Sequence, residues 1–104
     1  MPAKAVRYLR QAGEKAVARS ASREAVVFFD QALLLLGAMP QSTENLSEAL
    51  DIRIAQGPSL IGLKGAASQE VEDLYLRAQE LADRLEDPAR QFQALWNLWF
   101  VKFN

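Results

Sequence analysis

The segment SREAVVFFDQALLLLG, residues 22–37, decides the fold of this chain. Between Ala25 and Leu36 only Asp30 and Gln31 are polar. A helix that is apolar on most of its circumference packs against neighbours on several sides. One continuous stripe has helical spacing and comprises Ala25, Phe29, Ala32, Leu33 and Leu36. The small residues of the stripe leave room for an adjacent helix, and its aromatic ring fills the gap. The sequence therefore predicts a helical core built around this segment.

Helices are also predicted on both sides of this segment. The first covers residues 3–19 and contains Gly13. Glycine inside a helix costs about 1 kcal/mol relative to alanine, so we expect a close helix contact there. Ser20 and Ser22 are candidate N-caps of the second helix.

The third helix is predicted over residues 43–63, capped by Ser42 and Thr43. Gly57-Pro58 predicts a kink or a short break, because proline removes a backbone donor and crowds the preceding turn. A loop is expected over residues 62–67.

The fourth helix, residues 69–86 after the N-cap Ser68, is the most clearly amphipathic. Its predicted buried stripe comprises Val71, Leu74, Tyr75, Ala78, Leu81, Ala82 and Leu85. Opposite charges four residues apart predict surface ion pairs, each worth a few tenths of a kcal/mol, in the pairs Asp73–Arg77 and Glu80–Arg84.

The last predicted helix, residues 88–102, begins at Asp87-Pro88 and is rich in aromatic residues. These are Phe92, Trp96, Trp99, Phe100 and Phe103. One face can pack on the fourth helix, whereas the other lacks a partner helix in the sequence. We therefore predict a two-fold homodimer through this helix, formed by Trp96, Trp99, Phe100 and Phe103. The alternative is a monomer in which Trp99 and Phe103 fold back on the fourth helix.

Composition excludes several classes of site. The chain has no cysteine and no histidine, so it lacks disulfides, thiolate metal ligands and the commonest general base. No secretory leader or membrane-spanning run is recognisable, and we expect a cytoplasmic location without membrane association. Gly57 to Gly65 is a poor match to a phosphate-binding loop, because Lys64 is displaced and no Ser or Thr follows it. We expect no metal, no cofactor and no enzymatic activity.

Charge is unevenly distributed although the net charge is −1. Residues 1–23 hold a single acid, Glu14, and six basic side chains, namely Lys4, Arg7, Arg10, Lys15, Arg19 and Arg23. A basic first helix facing water or an acidic neighbour is the ordinary interpretation. The alternative is an anion- or nucleic-acid-binding surface using Lys4, Arg7, Arg10, Lys15 and Arg19.

The first helix pair resembles a tetratricopeptide (TPR) repeat. The matching small and aromatic positions are Gly13, Ala25, Phe29 and Ala32, and the second pair repeats them with Val71, Tyr75 and Ala78. The chain departs from the motif at Leu9, Ala16 and Gly37, where Trp, Tyr and Pro are favoured. The step between pairs is also longer than the usual repeat of about 34 residues.

A second resemblance covers most of the chain. Five segments resemble the helical-repeat region of a large bacterial family, namely residues 8–16, 23–33, 51–60, 64–65 and 94–99. Its members join class III adenylate/guanylate cyclase domains to a predicted ATPase and TPR-like repeats. The resemblance implies that the chain is an excised part of such a protein, without the cyclase aspartates or the ATPase phosphate loop.

The predicted fold is all-α: TPR-like antiparallel hairpins of an α-α superhelix, with about five helices. It is one unit over residues 1–104, with hairpins 3–37 and 43–86 and an unpaired helix 88–102. The predicted role is binding a protein or peptide partner, or other domains of the parent chain, with nucleic acid as the less favoured partner. In a TPR arrangement the first helix of each pair lines the concave surface. This nominates Arg7, Arg10 and Glu14, with Asp51 opposite.

Overall fold

The computed structural model describes residues 2–103, which form five α-helices. They are α1 (Pro2–Ala18), α2 (Ser22–Gly37), α3 (Thr43–Lys64), α4 (Gln69–Leu85) and α5 (Pro88–Lys102). Residues 2–103 contain no strand. The predicted all-α fold is confirmed, and each predicted helix boundary lies within one residue of the observed one.

Each helix packs mainly on its neighbours in sequence. Contacts between α3 and α4, and between α4 and α5, run in opposite directions along the two helices, so these pairs are antiparallel. In α4 and α5, for example, the Gln91 amide donates to Asp83 near the connecting turn, whereas Lys102 lies 3.7 Å from Glu72 at the far end. Short connections of this kind give an up-and-down series of helices, with α2, α3 and α4 each covered on two sides.

The helix α2 lies at the centre of the first half of the core, as its composition predicts. Phe29 is fully buried, and so are Ala25 and Ala32 beside it. A β-carbon at Gly13 would lie 2.5 Å from the Phe29 ring, so only glycine lets α1 approach this closely. The predicted reason for a glycine inside α1 is confirmed. Leu33, also assigned to the buried stripe, is only half-buried.

The third helix differs most from prediction, because α3 continues through Gly57-Pro58 to Lys64. The predicted short break is wrong, and the loop begins at residue 65 instead of residue 62. Packing explains this: a β-carbon at Gly57 would overlap the Tyr75 hydroxyl, so α3 and α4 meet closely at this turn. The buried Gln56 amide also donates to the Val26 carbonyl at 3.2 Å and to Asp30 at 2.7 Å, which ties the same turn to α2.

A side-chain N-cap is present at three of the four helix starts where the sequence predicts one. Ser42, Ser68 and Asp87 accept hydrogen bonds from the backbone N–H three residues later, at 3.1–3.2 Å. The second helix is the exception, because its N-cap position is Ala21 and no side chain caps it. Ser20 adopts a left-handed conformation with φ of 59°, and Ser22 is already helical, so neither serine can cap.

Candidate interaction surfaces

The outward side of α5 is a continuous apolar surface, which we call the aromatic face. The buried side of the helix consists of Ala94, Leu98 and Val101. The aromatic face consists of Phe92, Leu95, Trp96, Trp99, Phe100 and Phe103, which are 48–70% exposed. Trp96 and Trp99 stack with ring centroids 5.6 Å apart, and Phe103 lies 5.4 Å from Trp99. Trp99 and Phe103 are more than half exposed, so they do not fold back under the cover of α4.

Neither charged side chain of α5 belongs to the aromatic face. Arg90 donates to Asp51 at 2.6 Å and to Asp87 at 2.8 Å, while Lys102 lies 3.7 Å from Glu72. Both positive charges are therefore directed toward acidic groups of the same chain. The aromatic face presents no charge that would have to be desolvated by an apolar partner.

The residues nominated for a concave surface fall into two separate ion-pair groups. Arg10 donates to Glu48 of α3 at 2.7 Å and lies 3.9 Å from Glu14, so the structure brings these three side chains together. Asp51 instead accepts from Arg90 of α5, and Arg7 is exposed. Ion pairs between Arg10 and Glu48 and between Arg90 and Asp51 therefore link α1, α3 and α5. Two of the residues nominated for partner binding, Arg10 and Asp51, thus already contact charged groups of the same chain.

The basic residues of α1 and of the turn that follows it are only partly available to an anion. Arg19 lies 2.8 Å from Glu24, and Arg10 is bound to Glu48. Lys4, Arg7 and Lys15 are exposed, and none forms an ion pair within residues 2–103.

The segment that partly matches a phosphate-binding loop is helical. Residues 57–64 belong to α3, where backbone amides serve the helix instead of forming an anion cradle. Lys64 lies 3.6 Å from Glu70. Across residues 2–103 the acidic side chains form no cluster suited to a metal ion.

A second surface lies between α2 and α4, where α3 forms the floor of an open depression that we call the arginine trough. Two adjoining cavities of about 480 and 420 Å³ share Arg53 and Arg77 in their walls, and Arg84 lines the second. None of these arginines has an ion pair among the residues that the structure describes. The walls of the two cavities also hold Lys64 and four carboxylates, so their formal charges balance; the acidic residues are Asp30, Glu70, Asp73 and Glu80.

Arg53 is the residue around which the trough is built. Its Nε atom is buried and has no hydrogen-bond partner within residues 2–103. Burial and the positive charge of Arg77 lower the pKa of Arg53, against an opposing effect of Asp30. An unsatisfied buried donor costs about 1–3 kcal/mol.

The ion pairs predicted on the surface of α4 are not formed. Because the sequence assigned Arg77 and Arg84 to these pairs, it did not indicate that both line the trough. Neither Asp73–Arg77 nor Glu80–Arg84 comes within 4.0 Å among the described residues, and Asp73 accepts from Gln69 at 3.0 Å. Exposed pairs of this spacing contribute only tenths of a kcal/mol, so competing contacts easily replace them. The available signal was Arg53 itself, a charge between two isoleucines in a partly buried helix.

None of the five helices described over residues 2–103 has the length and apolar character needed to cross a membrane. No family model and no solved structure matches the chain. The chain is similar to an uncharacterized protein of Rhizobium meliloti (strain 1021), with 36% identity over 94 residues. The match includes 86% of this chain, which spans only 9% of the length of that relative. The similarity therefore concerns one short part of a much longer protein.

Proposed function

We propose that this chain is a non-catalytic, TPR-like interaction module of a large bacterial signalling protein of the cyclase–ATPase type, where it binds partners and relays regulation. The sequence resemblance supports the parent class, and the much greater length of the relative agrees with a module inside a larger chain. The observation that carries the binding role is the aromatic face of α5.

The size of the aromatic face supports a binding role. Aromatic side chains contribute roughly 150–250 Å² each when buried, so at their exposed fractions its five aromatics present about 600 Å². The largest apolar patch on a typical monomer is about 300–600 Å² and is often functional. A standard interface buries about 800 Å² per partner, which this face with its rim approaches.

A second copy of the chain is the occupant that we propose. The face is neutral, because Arg90 and Lys102 are directed to carboxylates of their own chain. Two copies related by a two-fold axis would therefore meet without like-charge repulsion. Stacked rings of Trp96 and Trp99 also offer a flat surface that is complementary to itself.

Sedimentation at micromolar concentration tests the dimer. The unmodified chain should sediment as a species of twice the chain mass, and Trp99→Ser should sediment as a monomer because it removes the ring at the centre of the face. Leu34→Ser is the matched control, since Leu34 is 77% exposed on α2 and its loss should leave the dimer intact.

The dimer would be falsified if the unmodified chain sedimented strictly as a monomer and Trp99→Ser did not change its sedimentation. A Trp99-dependent complex with another domain of the parent protein, but none between copies, would keep the interaction role and replace the proposed occupant.

A nucleic-acid-binding role for α1 is the second candidate, and the exposure of Lys4, Arg7 and Lys15 favours it. Phosphate contacts would give an affinity for DNA that falls steeply as salt is raised. The absence of DNA binding at low salt would remove this candidate.

A further inference from the structure

The outward direction of the aromatic face depends on how α5 is seated on the rest of the molecule. This helix packs mainly on one neighbour, α4. Within residues 88–97, the half that carries Phe92, Leu95 and Trp96, only Ala94 is buried. A helix that rests on one neighbour through so small a side chain can roll about its own axis unless a second point holds it.

Arg90 supplies that second point, and it reaches a different helix. Its guanidinium group donates to the Asp51 carboxylate at 2.6 Å, to the Ser47 hydroxyl at 2.7 Å and to the Ser47 carbonyl at 3.2 Å. All of these acceptors belong to α3. The Arg90 side chain is only 22% exposed, and hydrogen bonds between charged groups are roughly twice as strong as neutral ones. Arg90 therefore fixes the first half of α5 against α3 as well as α4.

The ion pair at the other end of α5 does not have this effect. Lys102 lies 3.7 Å from Glu72, which belongs to α4, the helix on which α5 already packs. That separation is also too long for a hydrogen bond. Of the two charged residues of α5, only Arg90 therefore reaches a second helix within residues 2–103.

A released α5 has a competing position, in which the helix rolls and its rings fold back on α4. Trp96 and Trp99 are more than half exposed, and burial of their apolar surface within the chain would be favourable. Such a roll would carry Arg90 away from Ser47 and Asp51, because all side chains of a helix turn with it. The contact with α3 thus opposes the loss of the aromatic face.

We propose that Arg90 is a positioning residue for self-association: its hydrogen bonds to Ser47 and Asp51 hold α5 in the rotation that turns the aromatic face outward, where a second copy binds it. Arg90 does not itself belong to the face. This role rests on the proposed dimer through α5. It adds that the affinity between copies is set in part by α3, which lies outside the contact surface.

Dissociation constants of the dimer, from sedimentation over a range of concentrations, test this role. Arg90→Gln should weaken the dimer by about tenfold or more, as expected for the loss of charge-assisted hydrogen bonds. Asp51→Ala should weaken it too, although Asp87 still caps α5 and still contacts Arg90. In the Asp51→Ala background, Arg90→Gln should have a much smaller further effect, because the two side chains act together.

Glu48→Ala is the matched control. Like Asp51, Glu48 is a carboxylate of α3 that accepts from an arginine of another helix, in this case Arg10 of α1 at 2.7 Å. Its removal breaks a comparable link without touching α5, so the affinity between copies should stay unchanged.

The other outcomes separate this role from the dimer itself. Unchanged affinity after Arg90→Gln, equal weakening by Glu48→Ala, or full additivity of Arg90→Gln and Asp51→Ala would each contradict the positioning role. If circular dichroism shows that Arg90→Gln loses helix, Asp51→Ala decides.

A monomeric unmodified chain would instead contradict the dimer, and acrylamide quenching of tryptophan fluorescence would then decide on Arg90. Arg90→Gln should reduce the quenching of Trp96 and Trp99 because the rings fold back, whereas Glu48→Ala should not. Unchanged quenching after Arg90→Gln would overturn the positioning role.

Discussion

Phe29 and Gly13 act as a pair across the interface of α1 and α2. The ring is fully buried, and the missing side chain at Gly13 provides the space that it occupies. Protein interiors are closely packed, so neither member can change size without a response from the other. The two substitutions below perturb this contact in opposite directions.

Phe29→Ala should lower the free energy of unfolding by about 3–5 kcal/mol, because the alanines beside it cannot close the cavity. Leu34→Ala is the matched control on the same helix, since Leu34 is mostly exposed and its loss should have little effect. Chemical denaturation of the three proteins measures the difference. Equal denaturation midpoints would show that α2 is not the centre of the core.

Gly13→Ala should destabilise the protein although alanine favours a helix. The new β-carbon would meet the Phe29 ring, and such overpacking typically costs about 1–3 kcal/mol, which exceeds the gain of about 1 kcal/mol in helix propensity. Gly37→Ala is the control, because no atom lies within 4 Å of its added carbon and its φ is not positive. That change should stabilise slightly by restricting the unfolded chain. Thermal unfolding separates the two outcomes; stabilisation by Gly13→Ala would contradict the predicted clash.

At the scale of elements, the start of α5 is fastened by one residue. The Arg90 side chain donates to Asp87 at 2.8 Å, to Asp51 at 2.6 Å and to the Ser47 hydroxyl at 2.7 Å. Asp87 accepts in addition from the Arg90 backbone N–H, as an N-cap. The N-cap of α5 and its attachment to α3 therefore both depend on Arg90.

This arrangement predicts sensitivity to acid. The Arg90 side-chain hydrogen bond, aided by its backbone N–H, lowers the pKa of Asp87 below its ordinary value of 3.8. A lowered folded-state pKa gives stability that is present above 3.8 and is lost as the pH falls through the folded-state pKa. Asp87→Asn keeps a capping oxygen but removes the charge, so it should show a smaller loss of stability on acidification. Urea unfolding at neutral and strongly acidic pH measures this; an equal loss in both proteins would contradict it.

The elements were predictable because their signals are local. Apolar periodicity and caps such as Ser68 and Asp87 depend on a few adjacent residues, and the structure has them where expected. The continuation of α3 through Pro58 was not predictable, since it depends on the contact of Gly57 with Tyr75 from another helix. Local proline chemistry gave the wrong answer because tertiary packing outweighs it at this position.

At the scale of the whole molecule, the two candidate surfaces differ in how far the sequence indicated them. An exposed aromatic face could be predicted from the sequence, because α5 has only one neighbouring helix in the sequence and more large aromatic rings than that helix can cover. The arginine trough could not, since it requires that Arg53 of α3 and Arg77 of α4 line the same depression, which depends on how the two helices pack. Helical spacing within α4 instead predicted pairs that are not formed.

The restriction of packing to helices that are neighbours in sequence has a consequence for how the chain folds. Forming such contacts requires the closure of short segments only, and proteins rich in local contacts fold within microseconds to milliseconds. Each hairpin is held by contacts of its own, so nucleation can begin at more than one place. Trp96, Trp99 and Phe103 contact one another within a single helix and its C-cap, so these rings come together when α5 itself forms, whatever the order in which the hairpins pack.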